Sequence, residues 1–313
     1  MTEMIAPRDA FGKALAQLGR ENPNIVVLDA DLAPATKVSD FAAACPDRFF
    51  QVGIAEQNMV GMAAGLSTLG FIPFTSTFAC FATDRVLDQI RLVVAQPRLN
   101  VKMVGAYVGL LAGKTGKTHQ TVEDIAVIRA LPNMVIVSPC DANEMRAALK
   151  AIVAYDGPVY LRVSRDPAPV IMPDNYTFEI GKSVVLCEGR DVTLISTSMM
   201  TGHALLASQT LAKEGISAHV VHVPTIKPLD VEGIVAAADR TGLVVTAEDH
   251  NILGGLGGAV AEVLGEHRPT RMKRVGIKDT FAETAGNTEL LTKYGLMPAD
   301  IVNAAKELLA RGK

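Results

Sequence analysis

The sequence lacks tryptophan and is poor in aromatic residues, which make up 5% of its 313 positions. It also lacks an excess of positive charge, since the net charge is -3 and no long basic run occurs. Nucleic-acid surfaces depend on clustered basic residues, so no nucleic-acid partner is expected. No apolar stretch approaches the length of a membrane span and the N-terminus shows no apolar leader. We therefore expect a cytoplasmic protein without a membrane partner.

Cysteine is scarce, and its spacing excludes two common uses. The four cysteines lie far apart, so neither a disulfide framework nor a zinc knuckle is predicted. The six histidines share no metal-ligand spacing either, so no metal site built by this chain is predicted.

Short apolar runs rich in β-branched residues alternate with helical patterns along most of the chain. Apolar strands separated by helices are typical of parallel sheets covered on both faces. The predicted fold class is α/β, with two doubly wound domains and mainly parallel sheets. Predicted strands cover 25–28, 72–76, 101–104, 135–138, 159–163, 192–196, 218–223, 243–247 and 272–275, and helices of the first half cover 9–20, 57–69, 81–95, 122–130 and 142–154.

The alternation breaks at a proline-rich segment near residue 170. Prolines with little hydrophobic periodicity around them are typical of a linker. We therefore predict a first domain over 1–168, a linker over 169–182 and a second domain over 183–313. Ligands of open α/β sheets bind beyond the C-terminal ends of the strands. Candidate site residues that follow such ends are Asp31, Phe78, the loop 105–119 and Arg165.

The acidic residue Glu56 lies between a short apolar strand, 49–52, and the nearly uncharged segment 59–69. Two interpretations are open. Glu56 is either a solvent-facing residue at a helix start, or a half-buried acid whose raised pKa lets it hold one proton. The first is the more common for an isolated acid, and the other motifs of this chain favour the second.

The loop 109–119 contains Gly-Lys-Thr twice, as in nucleotide-binding P-loops. The P-loop pattern also needs a glycine five residues before the second one. Val108 and Leu111 occupy those positions, so no NTPase function is predicted.

Several motifs together resemble the transketolase family of thiamine-diphosphate enzymes. The block 53–66 (GIAEQNMVGMAAGL) and the downstream Thr118-His119-Gln120 look like its pyrimidine-binding domain, and this pair of motifs is specific for the group. The segments 223–230 and 248–250 resemble the third domain of the family. Further matching motifs are 77–78, 88–91, 123–126 and 132–134.

The sequence lacks the Gly-Asp-Gly motif through which such enzymes bind the diphosphate and its Mg²⁺ or Ca²⁺. Tyr155-Asp156-Gly157 lacks the first glycine and a suitably placed asparagine. The resemblance therefore implies the C-terminal half of a split transketolase. An N-terminal, diphosphate-binding subunit would hold the metal in an α2β2 assembly.

The resemblance also assigns cofactor-binding residues. Glu56 matches the catalytic glutamate that hydrogen-bonds N1′ of the aminopyrimidine and shares a proton there. Phe81, with Phe78 nearby, matches the aromatic stack over that ring. Asp31 and Ile54 match further cofactor-contacting positions.

Substrate-binding residues are implied in the same way. His119 matches a catalytic histidine that faces the reacting carbonyl of the donor. Arg8 and Arg165 match the arginines that hold the sugar phosphate, a role that suits a planar bidentate fork.

Other substrate positions depart from the family pattern. Ala35 replaces a phosphate-binding serine, and Tyr107 replaces a phosphate-binding histidine. The acidic pair before Thr-His-Gln has become Lys114-Thr115, with Lys117 following. Hydroxyl recognition is lost and positive charge is added. An unusual donor or acceptor is therefore expected, such as a branched, modified or sulfonated sugar.

Three alternatives share parts of this pattern. A 1-deoxyxylulose-5-phosphate synthase-like enzyme and a 2-oxo acid dehydrogenase β subunit would use the same glutamate, although the continuation 58–62 (NMVGM) favours transketolase. A non-catalytic binding protein of the same fold is the third, and the joint presence of Glu56, Phe81 and His119 argues against it.

Overall fold

The computed structural model describes residues 3–310 and contains two large sheets with helices on both faces. The predicted α/β class with mainly parallel sheets is confirmed. Residues 1–2 and 311–313 of the two predicted domains lie outside the described part. The strands are β1 (Met4–Ile5), β2 (Ile25–Asp29), β3 (Phe49–Gln51), β4 (Ile72–Phe78), β5 (Lys102–Ala106), β6 (Val135–Val137), β7 (Val159–Val163), β8 (Ala168–Pro169), β9 (Val184–Cys187), β10 (Val192–Ser196), β11 (Ala218–His222), β12 (Thr225–Lys227), β13 (Leu243–Asn251) and β14 (Arg271–Ile277).

The helices follow the apolar periodicity and several begin at a capping residue. Asp141 accepts a hydrogen bond from Glu144 N at one helix start, and Asp230 accepts one from Gly233 N at another. The α-helices are α1 (Pro7–Glu21), α2 (Ala33–Thr36), α3 (Ser39–Ala44), α4 (Glu56–Thr68), α5 (Ala79–Ala82), α6 (Leu87–Gln89), α7 (Asp124–Arg129), α8 (Ala142–Ala154), α9 (Met200–Lys213), α10 (Val231–Thr241), α11 (Leu256–His267), α12 (Asn287–Lys293) and α13 (Pro298–Ala310). Among the helices of residues 3–310, none combines the length and apolar character needed to cross a bilayer.

The first sheet has seven strands in the order β12-β6-β7-β5-β4-β2-β3, all parallel except the β12–β6 pair. Helices α1 and α8 pack on one face and α4 on the other. Because the strands are parallel, β4, β5 and β7 end at the same edge. Phe78, Tyr107 and Arg165 lie at or just beyond these ends, so the sheet brings them together.

The second sheet has five strands in the order β14-β13-β10-β11-β9, with β9 antiparallel at one edge. Helices α9 and α13 cover one face, and α10 and α11 cover the other. A small antiparallel pair, β1 with β8, ties the N-terminal residues to the segment that follows the first sheet.

Backbone hydrogen bonds and a buried ion pair join the two halves of the chain. Strand β12, which follows the second sheet's β11 in the chain, pairs with β6 of the first sheet. Arg162 in β7 donates to Asp249 Oδ1 in β13 at 2.9 Å. The division at 169–182 stays a prediction.

The predicted continuous helix over 81–95 is wrong. The chain forms α5, a 3₁₀ turn (Asp84–Val86), α6 and a π-helical segment (Ile90–Ala95) instead. Thr83 has φ −122° and ψ −77°, and its hydroxyl donates to Ala79 O at 2.8 Å. A β-branched residue that bonds back to the preceding turn disfavours helix continuation.

Candidate active site

Glu56 is the first residue of α4, and only 3% of its surface is exposed. It therefore does not face solvent, so the first interpretation is wrong, and its role in holding a proton stays a prediction. Its Oε1 accepts a hydrogen bond from Arg85 Nη1 at 2.8 Å. Pairing is required here because an isolated buried carboxylate would be costly.

The aromatic residues predicted for the cofactor stack form one cluster. The Phe78 and Phe81 ring centroids lie 6.2 Å apart, and the His119 ring meets Phe81 edge-on at 5.3 Å. Phe81 is half-buried, so part of its surface is open. His119 Nδ1 shares a hydrogen bond of 2.9 Å with the Thr118 hydroxyl. The structure thus places three predicted site residues within contact of one another.

Tyr107 extends this cluster towards the predicted anion-binding arginines. Its ring stacks on Phe78 at 4.3 Å, and its hydroxyl accepts a hydrogen bond from Arg8 Nη1 at 2.5 Å. The Arg8 and Arg165 guanidiniums lie 5.4 and 5.1 Å from the ring centroid. Tyr107 has φ 61°, a left-handed conformation that is strained for a bulky residue and recurs at functional sites.

A cavity of about 540 Å³ opens beside Arg165. Lys114 lines it from the loop after β5, and the residues at the start of α12 line it as well. Asn287 Nδ2 donates to Leu111 O at 3.2 Å and to Asp166 Oδ2 at 2.6 Å, so it fastens the second domain to this loop. Both domains therefore contribute to the walls.

Four predicted residues lie outside these contacts. Ile54 is 74% exposed in the loop before α4. Asp31 is exposed, with its backbone N–H donating to Gln51 Oε1 at 2.9 Å. Thr115 is exposed and its hydroxyl donates to Ala112 O, while Lys117 is exposed on the same loop. Their predicted contacts with cofactor or substrate stay predictions.

Sequence reasoning missed three residues. Arg85 contacts both Glu56 and Phe81, and its contact with Glu56 joins two elements that lie 29 residues apart in the sequence. Gln51 accepts from the backbone N–H groups of Asp31 and Gly53 and donates to Asp29. Asn287 had no signal, because its contacts form only when the two domains pack.

The residues present fit the aminopyrimidine part of thiamine diphosphate. A planar guanidinium stacks over Phe81, with its carbon 4.1 Å from the ring centroid, and donates to Glu56. The place beside these two side chains therefore accepts a flat, nitrogen-bearing, hydrogen-bonding group. None of these contacts supplies a group that would bind the diphosphate.

Comparisons with known proteins agree with this geometry. Residues 3–169 match the family "Transketolase, pyrimidine binding domain", and residues 181–301 match "Transketolase, C-terminal domain". The chain is 45% identical over 304 residues to a 6-deoxy-6-sulfo-D-fructose transketolase subunit of Clostridium sp., covering 97% of this chain and 94% of that protein. It is 38% identical to an apulose-4-phosphate transketolase subunit of Phocaeicola vulgatus, covering 98% and 99%.

A solved structure gives the same result. A split-gene transketolase, described as an inactive β4 tetramer, has a TM-score of 0.92 and 49% identity, with 98% of this chain and 99% of that chain covered. The chain is also 41% identical to 1-deoxy-D-xylulose-5-phosphate synthase 1 of Geobacter sulfurreducens over 96% of its own length, but it spans only 47% of that enzyme. The chain therefore belongs to the transketolase family, and it carries that family's pyrimidine-binding and C-terminal domains.

Proposed function

We propose that this chain is the pyrimidine-binding subunit of a split transketolase that moves a two-carbon ketol unit from a ketose to an aldose. The nearly buried carboxylate of Glu56, joined through Arg85 to the partly open ring of Phe81, is the observation that carries the proposal. A buried acid beside an aromatic face suits a flat heterocycle that exchanges a proton. Thiamine diphosphate contains such a ring and, when bound, supplies the chemistry that breaks and forms carbon–carbon bonds next to a carbonyl.

The residues of this chain divide the remaining tasks. Glu56 holds the proton at N1′ of the pyrimidine, and Phe81 and Phe78 orient that ring and keep water from its face. His119, edge-on to Phe81 at 5.3 Å, hydrogen-bonds the carbonyl or hydroxyl oxygen of a donor bound there. These assignments give each group in the contact cluster a role in binding, orientation or proton transfer.

The diphosphate and its Mg²⁺ or Ca²⁺ are held by a separate N-terminal polypeptide, in a cytoplasmic α2β2 complex. Two facts support this division. The sequence has no Gly-Asp-Gly motif, and the relatives from Clostridium and Phocaeicola are both described as transketolase subunits. Activity therefore requires both polypeptides.

The donor carries a strongly acidic terminal group on a carbon skeleton that ordinary transketolases do not use. Arg8 and Arg165 flank the Tyr107 ring, and Lys114 and Arg165 line the adjacent cavity. Guanidinium groups bind phosphate and sulfonate oxygens by charge-assisted hydrogen bonds. The hydroxyl-reading aspartate is replaced by Thr115, and two relatives are described as acting on sulfofructose and on apulose 4-phosphate.

The test is an assay of the purified two-chain complex with thiamine diphosphate and Mg²⁺. Four donors are compared with an aldose acceptor: a 6-sulfonated ketose, a branched ketose phosphate, xylulose 5-phosphate and pyruvate. The proposal predicts ketol transfer, with the sulfonated or branched donor preferred.

Each contrary result has a distinct meaning. Efficient transfer from xylulose 5-phosphate to ribose 5-phosphate would contradict the substrate assignment but leave the reaction standing. Turnover of pyruvate would favour the synthase alternative. No cofactor binding by the complex would overturn the proposal itself.

A further inference from the structure

Arg85 lies where the predicted cofactor-binding residues meet. Its Nη1 donates to Glu56 Oε1 at 2.8 Å, and its guanidinium carbon lies 4.1 Å from the centroid of the Phe81 ring. One planar cation thus makes both contacts that the proposed function gives to the pyrimidine: a stack on Phe81 and a hydrogen bond to Glu56.

The backbone holds Arg85 in this place. The 3₁₀ turn over Asp84–Val86 interrupts the helical segment, and Gln57 Nε2 donates to Arg85 O at 3.1 Å. Gln57 follows Glu56 at the start of α4, so this hydrogen bond ties the turn to the helix that carries the acid. The side chain of Arg85 consequently starts close to Glu56 and can reach it.

Charge and exposure make Arg85 suited to a reversible contact. The Glu56 side chain is 3% exposed, so its carboxylate needs a partner when no ligand is present. The Arg85 side chain is 43% exposed, so it can leave towards solvent without unfolding the site. A guanidinium is flat and stacks on aromatic rings, as a heterocycle does.

We propose that Arg85 is a displaceable plug of the pyrimidine site, an inference that rests on the proposed function. In the cofactor-free chain its guanidinium occupies the place of the pyrimidine on Phe81 and neutralises Glu56. Cofactor entry moves it to solvent, and contacts from the diphosphate-binding subunit offset the lost ion pair. The lone chain therefore binds the cofactor weakly even though its pyrimidine-binding residues are already assembled.

The experiment measures binding by titration calorimetry, with no dependence on turnover. Thiamine diphosphate with Mg²⁺ is titrated into the two-chain complex, and the aminopyrimidine fragment 4-amino-5-hydroxymethyl-2-methylpyrimidine into the full-length lone chain. The variants are R85A and R85Q, and the matched control is R91A, whose exposed arginine lies on the neighbouring helical segment.

Removing the plug should tighten binding of both probes by about tenfold, because one ion pair and one cation–π contact no longer have to be broken. R85Q keeps a flat side chain without the charge and should tighten binding by a smaller factor. R91A should match the wild type. The R85Q arm also keeps the test valid if R85A folds poorly.

Two outcomes overturn the inference. Unchanged binding in both Arg85 variants would show that Arg85 does not compete with the ligand. Weaker binding would show that Arg85 helps to hold the cofactor instead of excluding it. If the wild-type complex binds no thiamine diphosphate, the proposed function fails first, so the two failures are distinguishable.

Discussion

Replacing Arg162 by methionine tests whether a buried charge network holds the two domains together. The Arg162 side chain is 0% exposed, and its Nε and Nη1 donate to Asp124 at 2.8 Å and to Asp249 at 2.9 Å. Burial alone would raise the pKa of Asp124, but the charge of Arg162 holds that pKa below its usual range. Asp124 is therefore an anion, and methionine would leave it and Asp249 without the guanidinium that both contact.

The expected cost follows from that burial. Removing one partner of a buried ion pair costs about 3–5 kcal/mol, because the remaining charge is left without compensation. Two carboxylates share Arg162 here, so the free energy of unfolding should fall by about 3 kcal/mol or more. The Tyr160 hydroxyl still donates to Asp124 at 2.8 Å and limits the loss.

Urea denaturation followed by circular dichroism measures this change. The control is K306A, which removes the exposed Lys306–Glu214 pair and should cost less than about 1 kcal/mol. A triple variant, R162M with D124N and D249N, removes the unpaired charges and should recover much of the loss. A cost for R162M as small as that of K306A would show that the buried Arg162 pairs stabilise the fold no more than a surface ion pair does.

Three further predictions concern the site and the neighbouring 3₁₀ turn, Asp84–Val86. Glu56→Gln should slow C2 proton exchange of bound cofactor by about tenfold or more while the fold and partner binding persist; unchanged exchange by NMR would show that Glu56 has no role in proton transfer. Burial is the main cause that raises the pKa of Glu123 from 4.5 to about 7, and the neighbouring Asp84 raises it further. The folded state therefore keeps a proton on Glu123 that the unfolded chain loses at lower pH. The stability that this group contributes is present below pH 4.5 and is lost as pH rises through 7. At pH 8 both carboxyl groups are charged and repel each other, so Asp84→Asn should raise the melting temperature relative to wild type more at pH 8 than at pH 5.5. The reverse order would contradict an interaction between Asp84 and Glu123. Arg165→Lys should raise KM for the anionic donor by about tenfold with a smaller change in kcat, because lysine lacks the bidentate fork; an unchanged KM would remove Arg165 from the anion site.

Much of the fold could be predicted because apolar strands carry a strong signal. The predicted strands of both parallel sheets correspond to β2, β4 to β7, β10, β11, β13 and β14. The short strand β12 was not predicted, since three residues with a polar end have no distinctive pattern. Its pairing with β6 depends on tertiary packing. The break within 81–95 was missed because it depends on local conformations at Thr83 and Val86.

The site was predictable where side chains follow strand ends or belong to specific motifs. Phe78, Phe81 and His119 form one cluster, as the resemblance implies. Arg85 and Asn287 were not found, because their contacts join elements that are separate in sequence. Arg162 offered an unused signal, since a charged residue within the apolar strand β7 requires buried partners.

A crystal structure of the two-subunit complex with thiamine diphosphate and Mg²⁺ would show directly whether Glu56 and Phe81 bind the pyrimidine. We expect the Glu56 carboxylate within hydrogen-bond distance of N1′, the pyrimidine stacked on Phe81, and the diphosphate bound by the other polypeptide. A pyrimidine bound elsewhere, with Glu56 still paired to Arg85, would contradict this expectation.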